Sequence, residues 1–430
     1  MTNEEYQNAV NWLFVQSPNY EINGKKAYKP GLENIRKLCE IFKNPQEKIK
    51  TIHIGGTNGK GSVSNMLSSV LQEANYKTGL YNSPHLVDFT ERIKVDGKNC
   101  NKKFVLDFVK KLQQLPSEIL PSFFEFATVM AFEYFHRKKI DFAVVEVGLG
   151  GRLDSTNIIK PLVSAITNVD LDHTEILGNT IEEIAVEKAG IIKNNTAIIS
   201  GDENEIIKKI ISEKAKAKNA KFVDATQIET NLKSDLKGNY QQKNIRVVLG
   251  IVEELKKIGV KISDENIKNG LLNVQKNTGF IGRWFVFSEN PLIICDTAHN
   301  QAGLKMVFSQ LNEIQKFKHI VLGFVNEKKI DEVLKTLPEN AIFYFVKPAN
   351  NRGRHPKDYE NLLKKEKISY KIFDSVQEGF LSAMQNRKNE EMIFIGGSNF
   401  VVGEFLEKNP RKQEKIFFVN NSSVSLNLCL

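Results

Sequence analysis

Short apolar runs alternate with amphipathic stretches along almost the whole chain, a pattern that predicts a parallel α/β sheet. In the first half the strand-like runs are IKTIHI (49–54), DFAVVEV (141–147), LVSAIT (162–167) and NTAIIS (195–200). The run at 141–147 carries apolar residues for both faces, as a central parallel strand with helices on either side requires. Between Gly59 and Ala74, the residues Val63, Met66, Leu67, Val70 and Leu71 recur at helical spacing and predict one amphipathic helix. Ser122-x-x-Glu125 and Thr180-x-x-Glu183 each have the form of a capping box, predicting helices over 122–136 and from Thr180 onward.

At 276–291 the pattern loosens into KNTGFIGRWFVFSENP, which marks a domain boundary. The alternation restarts with PLIICD (291–296), a helix near 300–315, HIVLGF (319–324), AIFYFV (341–346) and EMIFIGG (391–397). The expected organisation is α/β throughout. A parallel-sheet domain spans 1–282, a linker spans 283–290, and a smaller α/β domain spans 291–430, with a cleft between the domains. No internal repeat is evident, and the tail beyond Glu407 is charged and then Ser/Asn-rich, as in a loosely held segment.

Composition narrows the class. With 430 residues, 41% hydrophobic, 26% charged and a mean hydropathy of −0.31, the chain is an ordinary globular one. No apolar run approaches the roughly 20 residues that cross a bilayer. The opening MTNEEYQNAV is no secretory signal, so the expectation is a cytoplasmic protein without a membrane partner. Cys39, Cys100, Cys295 and Cys429 lie far apart without CxxC spacing, which argues against a zinc site or a disulfide framework. The 60 Lys+Arg against 51 Asp+Glu give +9, but the charges are scattered. Stretches such as EKAKAKNAK (213–221) read as solvated helix faces, with no basic stripe interleaved with aromatics. Small anionic substrates, rather than nucleic acid, fit that distribution.

The chemistry begins where TIHI runs into Gly55-Gly56-Thr57-Asn58-Gly59-Lys60-Gly61-Ser62 and then into the amphipathic helix. Glycines let successive backbone N–H groups face an anion, the helix N-terminus adds partial positive charge, and Lys60 is placed for the outer phosphates. The spacing departs from GxxxxGK[ST], because Ile54 stands where the first glycine belongs and Gly61 separates Lys60 from Ser62. Strand, loop and helix together still predict a nucleoside triphosphate site.

Three further residues stand out. Glu146 interrupts an apolar strand near its carboxyl end. A buried carboxylate needs a cation, and beside a triphosphate Mg²⁺ is the natural one, Arg152 being the alternative. His173 follows the strand LVSAIT, where loops form α/β sites, and it reads either as a metal ligand or as a structural hydrogen-bonder. Lys188 shares a helix face with Ile181, Ile184 and Ala185. If buried there, its neutral amine is favoured and can react with CO₂ to give a carbamate; otherwise the side chain snorkels off the helix end.

GGTNGKGS, YNSPHLVDFTERI (81–93), EVGLGGRLDSTN (146–157), TNVDLDHTEILG (167–178) and EKAGIIK (187–193) together resemble the folylpolyglutamate synthase/dihydrofolate synthase family of the Mur ligase superfamily. LKGNYQQKN (236–244), Gly282-Arg283, Asp296-Thr297-Ala298-His299-Asn300 and Gly397-Ser398 continue the likeness in order, so it spans about residues 25–405. The resemblance implies the Mur ligase architecture, a P-loop ATPase-type parallel-sheet domain followed by a smaller Rossmann-like α/β domain, in a monomer that is an ATP-dependent ligase acting on dihydropteroate or folates and L-glutamate. It implies ATP contacts at Thr57, Asn58, Gly59, Lys60, Gly61, Ser62, Asn244, Arg283 and Asp296. Ser83 and Glu146 resemble ligands of one Mg²⁺; Glu146, His173 and carbamylated Lys188 resemble ligands of a second. Phe124, Glu125 and Asp154 fall where the family contacts the pterin, although Glu125 is also the capping-box acid. Lys60, Lys188 and His299 are the catalytic candidates, His299 for orienting glutamate or relaying its proton. The family's Asp-Gly-Ala-His-Asn-Pro reads Asp296-Thr297-Ala298-His299-Asn300-Gln301 here, and its Asp-Lys-Asp reads Glu327-Lys328-Lys329, which puts the second acid's role in doubt.

Two rival classes stand beside this reading. A peptidoglycan-precursor ligase carries an additional N-terminal domain for a UDP-sugar, and only 55 residues precede Gly56. A nucleotide-gated switch protein would not need Lys188 together with two further metal-ligand candidates.

Overall fold

The computed structural model describes residues 2–16, 31–115, 121–325 and 330–410. Glu327-Lys328-Lys329 and the tail beyond 410 lie outside the described residues.

Strand β1 (Thr51–Gly55) is buried at every position because helices cover both faces of its sheet. Ile52 and Ile54 pack on one face with Val63, Met66 and Leu67 of the helix Lys60–Glu73 and Val248 of the helix Gln241–Lys257. Around β1 stand β2 (Thr78–Tyr81), β3 (Ile93–Val95), β4 (Lys98–Asn99), β5 (Phe142–Glu146), β6 (Val163–Ile166), β7 (Ala197–Ser200) and β8 (Phe222–Asp224). Their order is β4-β3-β2-β5-β1-β6-β7-β8. The core from β2 to β8 is parallel, as expected, but β3 and β4 are antiparallel. These strands of two or three residues are too short to show a period, and they were not anticipated. The predicted strands 49–54, 141–147, 162–167 and 195–200 are all present, with ends shifted by a residue or two.

The second sheet has the order β13-β12-β11-β14-β10-β9. Its strands are β9 (Phe285–Glu289), β10 (Leu292–Asp296), β11 (Lys318–Leu322), β12 (Ala341–Val346), β13 (Tyr370–Phe373) and β14 (Met392–Gly396). Here the expected 283–290 linker needs correcting. Residues 285–289 pair antiparallel with β10, so this sheet begins before 291 and the crossing point contracts to the residues around Gly282 and Arg283. Separate apolar clusters fill its two faces: Leu304, Val307 and Phe308 of the helix Gln301–Glu313 on one, and Val401, Val402 and Phe405 of the helix Asn399–Lys408 on the other. No helix among the described residues is long and apolar enough to cross a membrane.

Both sheets turn their carboxyl ends toward each other. The facing surfaces are joined by hydrogen bonds from Tyr240 Oη to Asp296 Oδ2 (2.9 Å), from Asn239 N–H to Gln310 Oε1 (2.9 Å) and between Asn58 and Asn300. In an open α/β sheet this edge, where connections leave in opposite directions, is where a crevice forms.

Candidate active site

The loop after β1 is held from beneath by the segment after β6. Thr57 N–H donates to Asn168 O (2.8 Å), Asn58 N–H to Asn168 Oδ1 (2.7 Å), and Thr167 Oγ1 to Asn58 O. Gly59 caps the helix at φ +87°, and a Cβ there would stand 2.4 Å from Asn244 Oδ1, so only glycine serves. Lys60 is folded back on its own loop, donating to Gly56 O (3.0 Å) and Thr57 O (3.1 Å). Burial holds its ammonium below the usual lysine range, against the opposing charges of Glu146 and Asp172. Such internal bonds are ones that phosphate oxygens can replace.

Lys188 does not snorkel. It lies on the helix Ile181–Ala189, started by the predicted Thr180–Glu183 capping box, is 4% exposed, and donates to the same Gly56 O at 3.0 Å. Burial and the neighbouring Lys60 charge bring its pKa down to about 7, so the neutral amine is accessible near neutrality. Glu146 ends β5 beside Ile54. The Arg152 alternative is not formed, since that guanidinium pairs with Glu187 at 2.8 Å. Glu146 instead accepts from Asn82 Nδ2 (2.7 Å), and burial raises its pKa while Lys60 pulls it down.

Asp154 is buried and accepts from Leu149 N–H (2.8 Å) and Thr156 N–H (2.9 Å), which fixes the GLGGRLD turn. His173 has φ +51° at the start of a one-turn helix, with Nε2 3.9 Å from Asp172 Oδ2. His299 arrives from the second domain, Nδ1 3.1 Å from Thr297 O and Nε2 3.8 Å from the same Asp172 oxygen.

These residues line two adjoining cavities. The first, about 260 Å³, is bounded by Thr57, Lys60, Ser83, Phe124, Glu146, Asp154, His173, Lys188 and His299. The second, about 440 Å³, is bounded by Gly59, Ser62, Asn244 and Asp296 together with Tyr240 and Gly303. Asn58 and Arg283 line both. Two expected residues line neither. Gly61 sits in the first helical turn, and Glu125 spends its carboxylate in the capping box, accepting from Ser122 N–H at 2.7 Å. Asp296 lines the second cavity but is largely occupied, as its carboxylate accepts from Ala298 N–H (2.7 Å), Trp284 N–H (2.7 Å) and Tyr240 Oη (2.9 Å).

Sequence reasoning passed over Asp172, Asn168, Asn82 and Tyr240, whose roles are tertiary. Only Asp172 carried a signal, its place beside His173 in the loop after a central strand. Arg352, Ser398 and Phe400 of the second domain also wall the first cavity, of which only Ser398 had drawn notice.

The donor set decides what the first cavity could hold. Ser83 and Glu146 flanking a phosphate loop suit Mg²⁺, a hard cation held by one or two protein oxygens plus phosphates. Among the described residues no three His, Cys, Asp or Glu side chains converge as a metal site. The set Glu146, His173 and Lys188 therefore gains a third suitable donor only when Lys188 carries oxygens.

A phosphate loop in one α/β domain facing a second across a two-part cleft defines a Mur-type ligase. The model of the Mur ligase middle domain matches residues 54–272, and that of the Mur ligase glutamate ligase domain matches 282–399. Among curated proteins, the dihydrofolate synthase/folylpolyglutamate synthase of Bacillus subtilis is 30% identical over 94% of this chain and 99% of its own length. The chain spans half the length of a 30% identical relative from Haloferax volcanii, a probable bifunctional folylpolyglutamate synthase/dihydropteroate synthase. The Escherichia coli structure in complex with DHPP and ADP superposes with a TM-score of 0.80 at 26% identity, covering 94% of this chain and 97% of that one. A bifunctional folylpolyglutamate synthase/dihydrofolate synthase with Mn, AMPPNP and L-glutamate bound gives 0.81 at 26% over the same shares. This chain belongs to the dihydrofolate synthase/folylpolyglutamate synthase family.

Proposed function

We propose that the protein is an ATP-dependent ligase that adds L-glutamate to dihydropteroate and to the γ-carboxyl of tetrahydrofolate polyglutamates. The observation that carries this reading is the first cavity. It brings the phosphate-loop lysine, the Asp154 turn with Phe124, and His299 of the second domain to one cavity.

A carboxylate does not form an amide at neutral pH, so the acceptor's carboxylate oxygen attacks the γ-phosphorus of ATP and ADP leaves. Thr57 to Ser62 and Lys60 hold the phosphates in line, Lys60 exchanging its carbonyl partners for phosphate oxygens. The amine of glutamate then adds to the acyl phosphate carbonyl, and the tetrahedral intermediate collapses to amide and inorganic phosphate. His299 orients the amine or takes its proton. On this reading the nucleotide takes the second cavity, lined by Asn244, Arg283 and Asp296, and the pterin takes the part of the first lined by Phe124 and Asp154.

Mg²⁺, when bound, neutralises charge on the transferred phosphoryl group; Ser83 and Glu146 would hold one ion. Glu146, His173 and carbamylated Lys188 would hold a second. The neutral Lys188 amine adds to CO₂, an N–C bond forms, and one proton is released, leaving an oxygen donor where an ammonium stood. The family's monomeric state and a cytoplasmic location belong to the same reading.

Phosphate release from ATP with glutamate present, comparing dihydropteroate with tetrahydrofolate, tests it. Turnover with both acceptors is expected. Turnover with tetrahydrofolate alone limits the enzyme to tail extension, and ATP hydrolysis without any acceptor overturns the ligase reading.

A further inference from the structure

The segment 296–301 supplies roles for Asp296 and His299 but none for Asn300. Asn300 is 4% exposed and caps the helix Gln301–Glu313, its Oδ1 accepting from Gly303 N–H at 2.8 Å. Capping needs only that oxygen, and aspartate caps as well as asparagine. The side chain does more. Its Nδ2 donates across the cleft to Asn58 Oδ1 (3.0 Å) and Asp172 Oδ2 (3.0 Å), and its Oδ1 also accepts from Asn58 Nδ2 (3.4 Å).

We propose that Asn300 is a positioning residue whose amide latches the second domain onto the phosphate loop and sets His299 over the first cavity. The partners are themselves fixed. Asn58 is pinned through its backbone by Asn168 and Thr167, and Asp172 leads directly into His173. The helix leaves room for the pair by having glycine in its first turn. A Cβ on Gly303 would stand 3.0 Å from Asn300 Oδ1 and 3.7 Å from Asn58 Oδ1. His299 is the preceding residue, so whatever registers Asn300 against Asn58 also registers the imidazole against Asp172. The bonds are individually weak, as suits a contact that opens for product release and closes for chemistry.

The catalytic consequence rests on the proposed ligase reading; the latch itself does not. The variant that separates latch from cap is Asn300→Asp. It keeps the capping oxygen, loses both donors across the cleft, and sets a carboxylate against Asp172. Three kinds of measurement are made on the full chain: steady-state kinetics (kcat, and KM for ATP and glutamate), the melting temperature, and the radius of gyration by small-angle scattering at saturating nonhydrolysable ATP analogue. The expected result is kcat reduced about tenfold to a hundredfold, as loss of one charge-assisted and one neutral hydrogen bond implies. The melting temperature stays near that of wild type, and the radius of gyration exceeds it. Asn300→Ala, which removes cap and latch together, lowers the melting temperature as well. Wild-type kcat and radius of gyration in Asn300→Asp overturn the proposal, as does a kcat loss that tracks a lowered melting temperature with the domains still closed. Should wild type turn over neither acceptor, the substrate reading fails while the scattering comparison still decides the latch.

Discussion

Glu146 and Asp296 both end a strand, one in each sheet. Glu146 closes β5, parallel to both its neighbours, and Asp296 closes β10, parallel to β14 and antiparallel to the edge strand β9; each is buried. Burial raises the pKa of both, and both feel the Arg283 guanidinium between them. What differs is how their neighbours use the carboxylate. Asp296 accepts from two backbone N–H groups and the Tyr240 hydroxyl, tying β10 to the interdomain crossing and to the Gln241–Lys257 helix. Glu146 takes a side-chain bond from Asn82 and feels the Ser83 backbone N–H, and it faces the first cavity with Ser83 and Lys60. A strand-end acid therefore marks a site in both domains, but only one retains the lone pairs that a cation needs.

The sharpest way to break the comparison is Glu146→Gln, which keeps an acceptor for Asn82 and removes the charge. Phosphate release should fall about 10²–10³-fold, the scale of losing one main electrostatic stabiliser, and its dependence on Mg²⁺ concentration should flatten. Unchanged turnover would class Glu146 with Asp296 as an anchor. Lys188→Ala should cost about a hundredfold on the same scale, with partial rescue by a short carboxylate that supplies the missing oxygens. A ¹³C resonance from labelled CO₂ on wild type, absent from the variant, checks the carbamate directly; its absence from both would remove the second metal ion.

Asp296→Asn should show the opposite balance. An amide cannot accept all three hydrogen bonds, and its NH₂ group is forced against other donors in a buried place. We expect a stability loss of about 2–4 kcal/mol by denaturant unfolding. Turnover at low temperature should fall less than in Glu146→Gln. A larger loss of turnover than of stability would move Asp296 into direct contact with the nucleotide.

The same contrast explains what could be read in the sequence. Buried parallel strands announce themselves as apolar runs, so β1, β5, β6, β7 and β12 were legible nearly to the residue. Lys60 and Lys188 were legible because a charge on an apolar face or beside a phosphate loop breaks the local pattern. The antiparallel β3 and β4 were not, being too short for a period, nor was β9, whose FVFSE run lies inside a glycine-rich stretch that reads as linker. Glu125 carried two readings in the sequence, and the capping box is the one whose hydrogen bonds the structure forms. Asp172 and Asn300 matter through partners 128 residues apart in the chain, a relation that no local pattern encodes.

Two buried histidines extend the comparison to the strands themselves. In the second sheet His319 has a partner on each ring nitrogen, Glu391 on Nε2 and the Tyr344 hydroxyl on Nδ1. In the first, His53 on β1 has Thr156 Oγ1 at 2.8 Å from Nε2, while its buried Nδ1 meets no hydrogen-bond partner among the described residues. Because Thr156 gives its own proton to Asp154, His53 donates through Nε2–H and stays neutral. Burial lowers its pKa from 6.5 to about 3. The folded state thus refuses a proton that the unfolded state accepts, so stability is full above about pH 6.5 and falls as pH drops toward 3. Between pH 7 and pH 4.5 wild type should lose about 2–3 kcal/mol more than His53→Gln, which retains a donor for Thr156 but does not titrate. Urea unfolding midpoints at the two pH values measure the difference. Equal losses would mean that the first sheet accommodates a charged His53.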